Sequence, residues 1–452
     1  MTKIPAAAPV PLYGAEHAAD PQRSYDLLRL QGAVGLAEIA PGVVVHLVTD
    51  YRAALDLLQD AETWTKDTRG WLSQVPLSSP IRPNVEWRDS LFYADGEYHA
   101  HLRKVITDSF GLLDPHDVRM VTFRFADTLV QRFADSGTVD LVGQYARQLP
   151  LMVFNRLFGM PDEYGPRLVD ALAAMVDTDP ERQAAGGQAF GEYLGTLYQT
   201  KAEQRGHDLT SWFIDHPNGL NQEEAVNQIL ITLGAGNEPL SNLIANTCVR
   251  MLSDARYFGT LTTGSLPIQH AIHEALWQNS PLANYSLHFP KRDLTFHGTH
   301  LPAGSPVMVS YAAANTCPHA GVPTDGYRSG TKAHLAFAAG PHACPARDLA
   351  LLIATAAIER LTSYLPDIEL AVPVEQLTYR EGPFHRTLTA LPARFTPLAP
   401  DAEGATPWSR SPADSGPDAG PNAGPDAAPA PTAAPTAAPT PTPTAGPLAA
   451  RA

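Results

Sequence analysis

Helical periodicity is the feature that most restricts what this chain can fold into. Apolar residues recur every three or four positions across several long stretches, which is the pattern of one buried helix face. The spacing predicts helices over 50–58, 118–133, 141–158, 222–252, 268–277 and 349–365. Only 43–48, 293–300, 307–310 and 388–395 read as strands. The pattern favours a mostly α protein of α+β type. The absence of βαβ alternation with a glycine-rich dinucleotide motif argues against a Rossmann enzyme.

A change of composition near residue 398 divides the chain. From Asp401 onward the sequence consists mainly of Ala, Pro, Thr and Gly, with almost no large apolar side chains. Such a segment cannot bury enough apolar surface to offset the entropy of ordering it. We therefore expect a folded domain over 1–397 and a disordered tail over 398–452.

The net charge of the chain restricts its binding partners, and its use of cysteine restricts the cellular compartment in which it works. The formal net charge of −15 over 452 residues argues against a nucleic-acid or anionic-membrane partner. The beginning of the chain lacks the basic and apolar regions of a secretory signal, and no apolar run is long enough to span a bilayer. The three widely spaced cysteines, Cys248, Cys317 and Cys344, do not suggest a disulfide framework. These observations predict a cytoplasmic protein without a membrane anchor.

The segment HLAFAAGPHACPARDLA, residues 334–350, places Cys344 between a glycine-containing loop and an apolar run. By itself this cysteine could be a buried small hydrophobe, a zinc ligand with His334 or His342, or a nucleophile. Pro345 suits the first position of a helix, so we expect the sulfur at a helix N-terminus, where N–H groups and the helix dipole favour a thiolate. A thiolate in such a loop can ligate a flat metal macrocycle, because glycine permits close approach.

Residues 337–350, FAAGPHACPARDLA, resemble the haem-ligand loop of the cytochrome P450 superfamily. Five further segments resemble the family in the same order along the chain: DGEYHAHLRK (95–104), LITLGAGNE (230–238), IHEALW (272–277), LPAG (301–304) and AAN (313–315). The likeness covers roughly residues 12–397. It implies a triangular, mostly helical fold with small β-sheets and a long central helix over the haem.

The resemblance also implies roles for individual residues. Cys344 would be the axial thiolate of a haem b, within a loop that includes Phe337 and Gly340. Ala235 and Gly236 would leave room for dioxygen and substrate, and Glu238 would be the acid of the central helix. The residues expected to contact the haem propionates are His99, Arg103, His288 and His342.

Such a protein would be a haem-dependent monooxygenase that oxidises a small organic molecule or a peptide in secondary metabolism. It would receive electrons from NAD(P)H through a ferredoxin reductase and a ferredoxin, and would act as a monomer. Lys104, Lys332 and Arg347 could form a basic docking patch beside the cysteine loop. Oxidative aromatic cross-linking, peroxide-driven oxidation and a non-catalytic haem- or ligand-binding protein are the alternatives.

Three departures from the family pattern bear on the mechanism. Pro239 replaces the alcohol that normally follows the acid, so we expect Glu238 and the freed carbonyl of Ala235 to organise water instead. Trp277 replaces the arginine of the E-x-x-R motif, as in a group of actinobacterial haem-thiolate proteins, and Arg328 is the expected partner of Glu274. Pro345 removes one N–H donor to the sulfur, which should lower the iron potential.

Overall fold

The computed structural model describes residues 8–175, 179–254, 256–257, 268–320 and 331–398. Helices dominate these ranges, as the periodicity predicts. The α-helices described are α1 (Gly14–Ala19), α2 (Pro21–Arg29), α3 (Tyr51–Gln59), α4 (Arg69–Leu72), α5 (Arg82–Val85), α6 (Gly96–Phe110), α7 (Pro115–Gln131), α8 (Gln148–Leu157), α9 (Gly165–Ala174), α10 (Pro180–Glu203), α11 (Leu209–Asp215), α12 (Gln222–Ser253), α13 (Ile268–Gln278), α14 (Tyr311–Thr316) and α15 (Arg347–Tyr364). Short 3₁₀ turns cover Asp162–Tyr164, Pro318–Ala320, Gly340–His342 and Val374–Gln376.

One predicted helix is divided. The run over 141–158 forms a π-helical turn at Val142–Ala146, followed by α8. Pro150 has no N–H with which to continue a helix from Ala146. It is tolerated in the first turn of α8, where N–H groups lack intrahelical partners in any case. The side chain of Asp140 accepts hydrogen bonds from the backbone N–H groups of Val142 and Gly143 and starts the π turn.

The strands form small sheets. They are β1 (Val10–Pro11), β2 (Val34–Ala40), β3 (Val43–Val48), β4 (Trp64–Thr65), β5 (Thr138–Asp140), β6 (Asn284–Pro290), β7 (Leu294–Phe296), β8 (Thr299–Leu301), β9 (Val307–Ser310), β10 (Glu369–Leu370) and β11 (Pro392–Arg394). A six-stranded sheet has the order β1-β2-β3-β9-β6-β4, and β10-β11-β5 and β7-β8 form two others. In the six-stranded sheet the pairs β1–β2 and β3–β9 are parallel.

Two strand predictions differ in detail from the structure. The run over 293–300 contains a turn, because His297 and Gly298 both have positive φ, 45° and 85°, as a two-residue hairpin turn requires. It therefore forms β7 and the start of β8. Within 388–395 only β11 is a strand, and its partners are β5 and β10 rather than a neighbour in the same segment. Leu388 forms an isolated bridge with Tyr379.

The long helix α12 organises the helical part of the fold. A capping box between Asn221 and Glu224 starts it, and it continues to Ser253 with Pro239 inside. It packs against α8, α13 and α15, whose apolar faces join one large buried cluster. Two further clusters cover the faces of the six-stranded sheet.

The described residues up to Leu398 belong to one compact unit, Met1–Ala399. The tail expected over 398–452 lies outside the described residues from Ala399 onward. Across the described part of the chain, no helix is both long and apolar enough to cross a membrane.

Candidate functional site

The loop that carries Cys344 is folded tightly against α3. The backbone N–H of Cys344 donates to the carbonyl of Phe337 at 2.9 Å, and Ala343 N–H donates to the carbonyl of Gly340 at 3.0 Å. Gly340 has φ of +68°, and a Cβ there would overlap the carbonyl oxygen of Leu58 in α3. Glycine is therefore required at this position both by conformation and by space.

The helix after the loop begins two residues beyond Pro345. Pro345 does not occupy the first helical position, because α15 starts at Arg347 with Ala346 as its N-cap. Cys344 nevertheless receives a hydrogen bond from the backbone N–H of Ala346. Burial raises the pKa of the Cys344 thiol, while that hydrogen bond and the charges of Arg103 and Arg347 act in the opposite direction. Cys344 is thus half-buried, with a donor and cations around its sulfur.

A cavity of about 250 Å³ separates the Cys344 loop from α12. Ala235, Gly236 and Pro239 line it on the α12 side, and Phe337 and Cys344 line it on the loop side. The remaining walls are mainly apolar, and they include Leu91, Phe110, Phe154, Leu157, Phe158, Ile231, Leu240 and Leu243. The structure therefore brings Cys344, Phe337, Ala235 and Gly236 to the same cavity.

Gly236 also has a packing role. A Cβ at this position would lie 3.1 Å from the ring of Phe154 in α8. That distance is shorter than an ordinary van der Waals contact, so a side chain here would displace the ring. The small residue both widens the cavity and allows α8 to approach α12.

A second group of predicted residues forms a buried cluster of donors. The rings of His99 and His342 lie 4.0 Å apart, and Arg103 and His342 line the cavity. Burial lowers the pKa of His99 to about 4 and also lowers the pKa of His342. Within the described ranges, His99 Nε2 is buried and has no hydrogen-bond partner. An orphaned polar atom of this kind marks a place where a ligand group completes the hydrogen bonding.

Further groups border the same cluster. His288 in β6 is buried, and its Nδ1 lies 2.8 Å from the carbonyl oxygen of Ser286, to which it donates as the Nδ1–H tautomer. Burial lowers the pKa of His288 well below its usual value. Asp95 faces His342, with Oδ1 3.7 Å from Nε2. Several cationic or N–H groups therefore surround one carboxylate, and the set fits a further anionic group.

Lys66, which immediately follows β4, is a further residue of the site. Its side chain is buried and lines the cavity, and Nζ donates to the hydroxyl of Ser286. No motif marks this lysine, because only the pairing of β4 with β6 brings it beside Ser286.

Glu238 does not line the cavity in this structure. Its Oε1 accepts hydrogen bonds from Arg380 and from the hydroxyl of Thr387 at 3.1 Å. Thr387 in turn accepts a hydrogen bond from Asn242, one turn further along α12, at 2.8 Å. The C-terminal segment around 380–387 therefore holds the acid of the central helix, and the sequence contained no signal for that contact.

The structure places Glu274 in an ion-pair cluster. Its Oε2 lies 2.8 Å from Arg250 and 3.2 Å from Arg256. The expected partner Arg328 lies outside the described residues. Trp277, one turn along α13, stacks on Tyr51 at 6.4 Å between ring centroids and donates from Nε1 to the carbonyl of Thr331 at 3.1 Å. The two residues of the altered motif thus have separate partners.

Comparison with known proteins identifies the family. No family model matches the chain. The cytochrome P450 monooxygenase PikC of Streptomyces venezuelae is 30% identical over 397 residues, which span 84% of this chain and 92% of that protein. The 2-hydroxy-5-methyl-1-naphthoate 7-hydroxylase of Streptomyces carzinostaticus is 28% identical over 367 residues, or 77% and 89% of the two chains. The structure of CYP154C4 from Streptomyces sp. ATCC 11861 superposes with a TM-score of 0.77 at 26% identity, covering 86% and 98%.

The chain therefore belongs to the cytochrome P450 superfamily. It is a haem-dependent monooxygenase that activates dioxygen at a cysteine-ligated iron and oxidises a small organic molecule in secondary metabolism. Its relatives take small-molecule substrates and receive electrons from redox partners. The predicted fold class is confirmed by the structural match.

Proposed function

We propose that Cys344 is the cysteine that ligates the iron. The observation that carries this assignment is that, of the three cysteines, Cys344 lines the cavity. Cys248 is buried within α12, and burial raises the pKa of its thiol to about 12. Cys317 lies elsewhere and accepts a hydrogen bond from the backbone N–H of Tyr51 at 3.3 Å. Neither of these two sulfurs lines the cavity.

The buried donor cluster is suited to hold the two haem carboxylates. The unpartnered Nε2 of His99 and the guanidinium of Arg103 supply donors beside Cys344, and His342 adds a second imidazole. His288 borders the cluster from β6. Phe337 and Gly340 shape the loop, and the close contact of Gly340 with α3 keeps Cys344 at the cavity wall. When bound, haem supplies an iron centre at which dioxygen is activated.

The α12 side of the cavity is the proposed side for dioxygen and substrate. Pro239 has no N–H, so the carbonyl of Ala235 has no helical partner and can accept a hydrogen bond from water in the cavity. Glu238, whose carboxylate Arg380 and Thr387 hold outside the cavity wall, is proposed to organise this water together with the Ala235 carbonyl. Substitution of Glu238 by Gln should lower the yield of product per NADPH consumed. Unchanged coupling would remove Glu238 from this role.

The apolar walls point to an apolar substrate. Leucine is the commonest lining residue, followed by phenylalanine and alanine, and Thr232 and Tyr285 are among the polar groups of the wall. Such a lining favours a hydrophobic ring compound over a highly charged molecule. This class is consistent with the similar protein of Streptomyces carzinostaticus, which is a hydroxylase of a naphthoate.

We assign the electron donor to the ferredoxin class, reduced by an NAD(P)H-dependent reductase. The positive charges of Lys332 and Arg347 both lower the pKa of His273, after burial as the main cause, so both side chains lie on the same side of the molecule as His273. With Lys104 they form the proposed docking patch for an acidic donor. We also propose that the protein is a cytoplasmic monomer. Its catalytic domain would be 1–397, and 398–452 would be a tail without a catalytic role.

Turnover tests this proposal. The purified protein should consume NADPH and oxidise an apolar ring compound when it is supplied with a ferredoxin and its reductase. The variant Cys344→Ser should lose this activity, whereas Cys317→Ser should retain it. A binding protein without catalysis would bind the compound and give no product, and that result would overturn the proposal.

A further inference from the structure

Lys66 is a buried ammonium without a carboxylate partner. Its side chain is only 2% exposed, and Nζ donates to the hydroxyl of Ser286 and lies 5.0 Å from the centre of the Phe92 ring. Among the described residues, no carboxylate lies within ion-pair distance of Nζ. A buried cation is costly unless an anion compensates it.

The nearest acid, Asp95, is already engaged by other donors. Its Oδ2 accepts hydrogen bonds from the backbone N–H of Lys66 at 2.9 Å and from the hydroxyl of Thr65 at 2.5 Å. Its Oδ1 faces His342. Although burial opposes ionisation, the nearby His342 ring and the hydrogen bonds from Thr65 and from the Lys66 backbone N–H hold the pKa of Asp95 below its usual value. Asp95 therefore fixes the backbone of Lys66 and leaves the ammonium free to point into the cavity.

Ser286 positions the ammonium at the cost of backbone strain. It has φ of +67°, a left-handed conformation that is unusual for a residue other than glycine, at an irregular position in the pairing of β6 with β9. Its hydroxyl accepts from Lys66, and its carbonyl faces Nδ1 of His288. One residue thus connects the lysine to the donor cluster. Strain that persists in a fold is often found at a functional site.

The groups around Nζ include three histidines and the acid Asp95, whose charge raises the pKa of Lys66 against the effect of burial. His99, His288 and His342 all experience the positive charge of Lys66, and Arg103 raises the positive potential further. Burial lowers the pKa of Lys66 to about 7, which indicates how poorly the ammonium is compensated by the protein alone. Among the described residues, Asp95 is therefore a nearby acid, but no carboxylate forms an ion pair with Nζ of Lys66.

We propose that Lys66, held by Ser286, forms an ion pair with a haem carboxylate and is a fifth member of the set His99, Arg103, His288 and His342. This inference rests on the proposed haem site. A carboxylate on the substrate is a second possible source of the same chemistry, and the experiment distinguishes the two.

The test compares Lys66→Met with Lys291→Met in the haem-loaded, substrate-free protein. Lys291 is exposed and follows the same strand, β6, so its substitution makes the same change in charge away from the site. The rate of haem transfer to an excess of a haem-scavenging apoglobin is the first measurement. Lys66→Met should lose haem about tenfold to a hundredfold faster, the range expected for one charge-assisted hydrogen bond.

The second measurement is the ferric/ferrous midpoint potential. Loss of a positive charge beside the haem disfavours the reduced state, so Lys66→Met should have a more negative potential than Lys291→Met. Ser286→Ala removes only the positioning hydroxyl and should shift both quantities in the same direction by less. If Lys66→Met does not fold, the haem-loss rate and the midpoint potential of Ser286→Ala test the proposal instead.

Each other outcome overturns the proposal. Haem loss and potential equal to those of Lys291→Met would mean that Lys66 does not pair with the cofactor. The same result with weaker binding of a fatty-acid probe would assign Lys66 to a substrate carboxylate. Faster haem loss with an unchanged potential would mean that Lys66 only supports the cavity wall. If the wild-type protein itself forms no haem-thiolate complex, the proposed function fails instead.

Discussion

Two substitutions in the Cys344 loop should have very different effects although they are two residues apart. Gly340 and Ala338 both have left-handed backbones, with φ of 68° and 57°. In Gly340→Ala the strain of about 1–2 kcal/mol is partly offset by about 0.4–1 kcal/mol from the less flexible unfolded chain. Overlap of the new Cβ with Leu58 adds about 1–3 kcal/mol, as in other overpacked sites. The total destabilisation is about 1–5 kcal/mol.

Ala338→Gly is the matched control. It relieves a similar strain, but it loses a partly buried methyl group of about 0.8 kcal/mol and gains flexibility in the unfolded chain. These contributions nearly cancel, so its stability should stay within about 1 kcal/mol of wild type.

Urea unfolding and haem content after purification measure both effects. Gly340→Ala must move the loop away from α3, and Cys344 moves with it, so haem content should fall together with stability. A Gly340→Ala protein with the stability and haem content of Ala338→Gly would refute the role of the contact with α3.

Three further predictions concern other parts of the molecule. Burial lowers the pKa of His17 to about 4, so the unfolded state binds the proton more readily below about pH 6.5. Stability should therefore fall by about 2 kcal/mol from this residue between pH 7 and pH 5, and urea unfolding of His17→Leu at both values should show a smaller loss. Glu274→Gln removes the buried carboxylate that pairs with two arginines and should lower the free energy of unfolding by about 1–3 kcal/mol. The control Asp348→Asn alters an exposed ion pair and should change the free energy of unfolding by less than about 0.5 kcal/mol. Equal effects of the two substitutions would contradict the burial argument. Gly236→Ala should lower both the stability and the affinity for apolar ligands, because the new Cβ crowds the ring of Phe154. Adding Phe154→Leu should restore part of both, as measured by urea unfolding and ligand titration. No restoration would show that the contact between residues 236 and 154 is not responsible.

Much of the fold could be predicted because its long helices have clear periodicity. The run 222–252 matches α12 within a residue at its C-terminus, since the capping residues and the apolar stripe agree. The apolar periodicity of 141–158 predicts one helix, but the structure has a π-helical turn followed by α8. Apolar periodicity takes no account of the N–H that Pro150 lacks. The strands of the six-stranded sheet are paired across large sequence separations, and nothing local to the sequence specifies those partners.

In the candidate site, too, contiguous motifs could be predicted and contacts between distant segments could not. The loop around Cys344 and the α12 segment are contiguous motifs, and the structure brings both to one cavity. Contacts between distant segments were missed. Arg250 and Arg256 contact Glu274, because the end of α12 packs beside α13. The expected contact of Glu274 with Arg328 stays a prediction, since Arg328 lies outside the described residues.

The identity of the iron ligand is the central assignment. The difference spectrum between the reduced protein with carbon monoxide and the reduced protein without it tests this assignment most directly. The wild-type protein and Cys317→Ser should both show the red-shifted Soret band of a thiolate-ligated carbonyl complex. Cys344→Ser should lose that band, because its hydroxyl cannot replace the thiolate. A Cys344→Ser protein that keeps the thiolate band, or a wild-type protein that binds haem without it, would contradict the account.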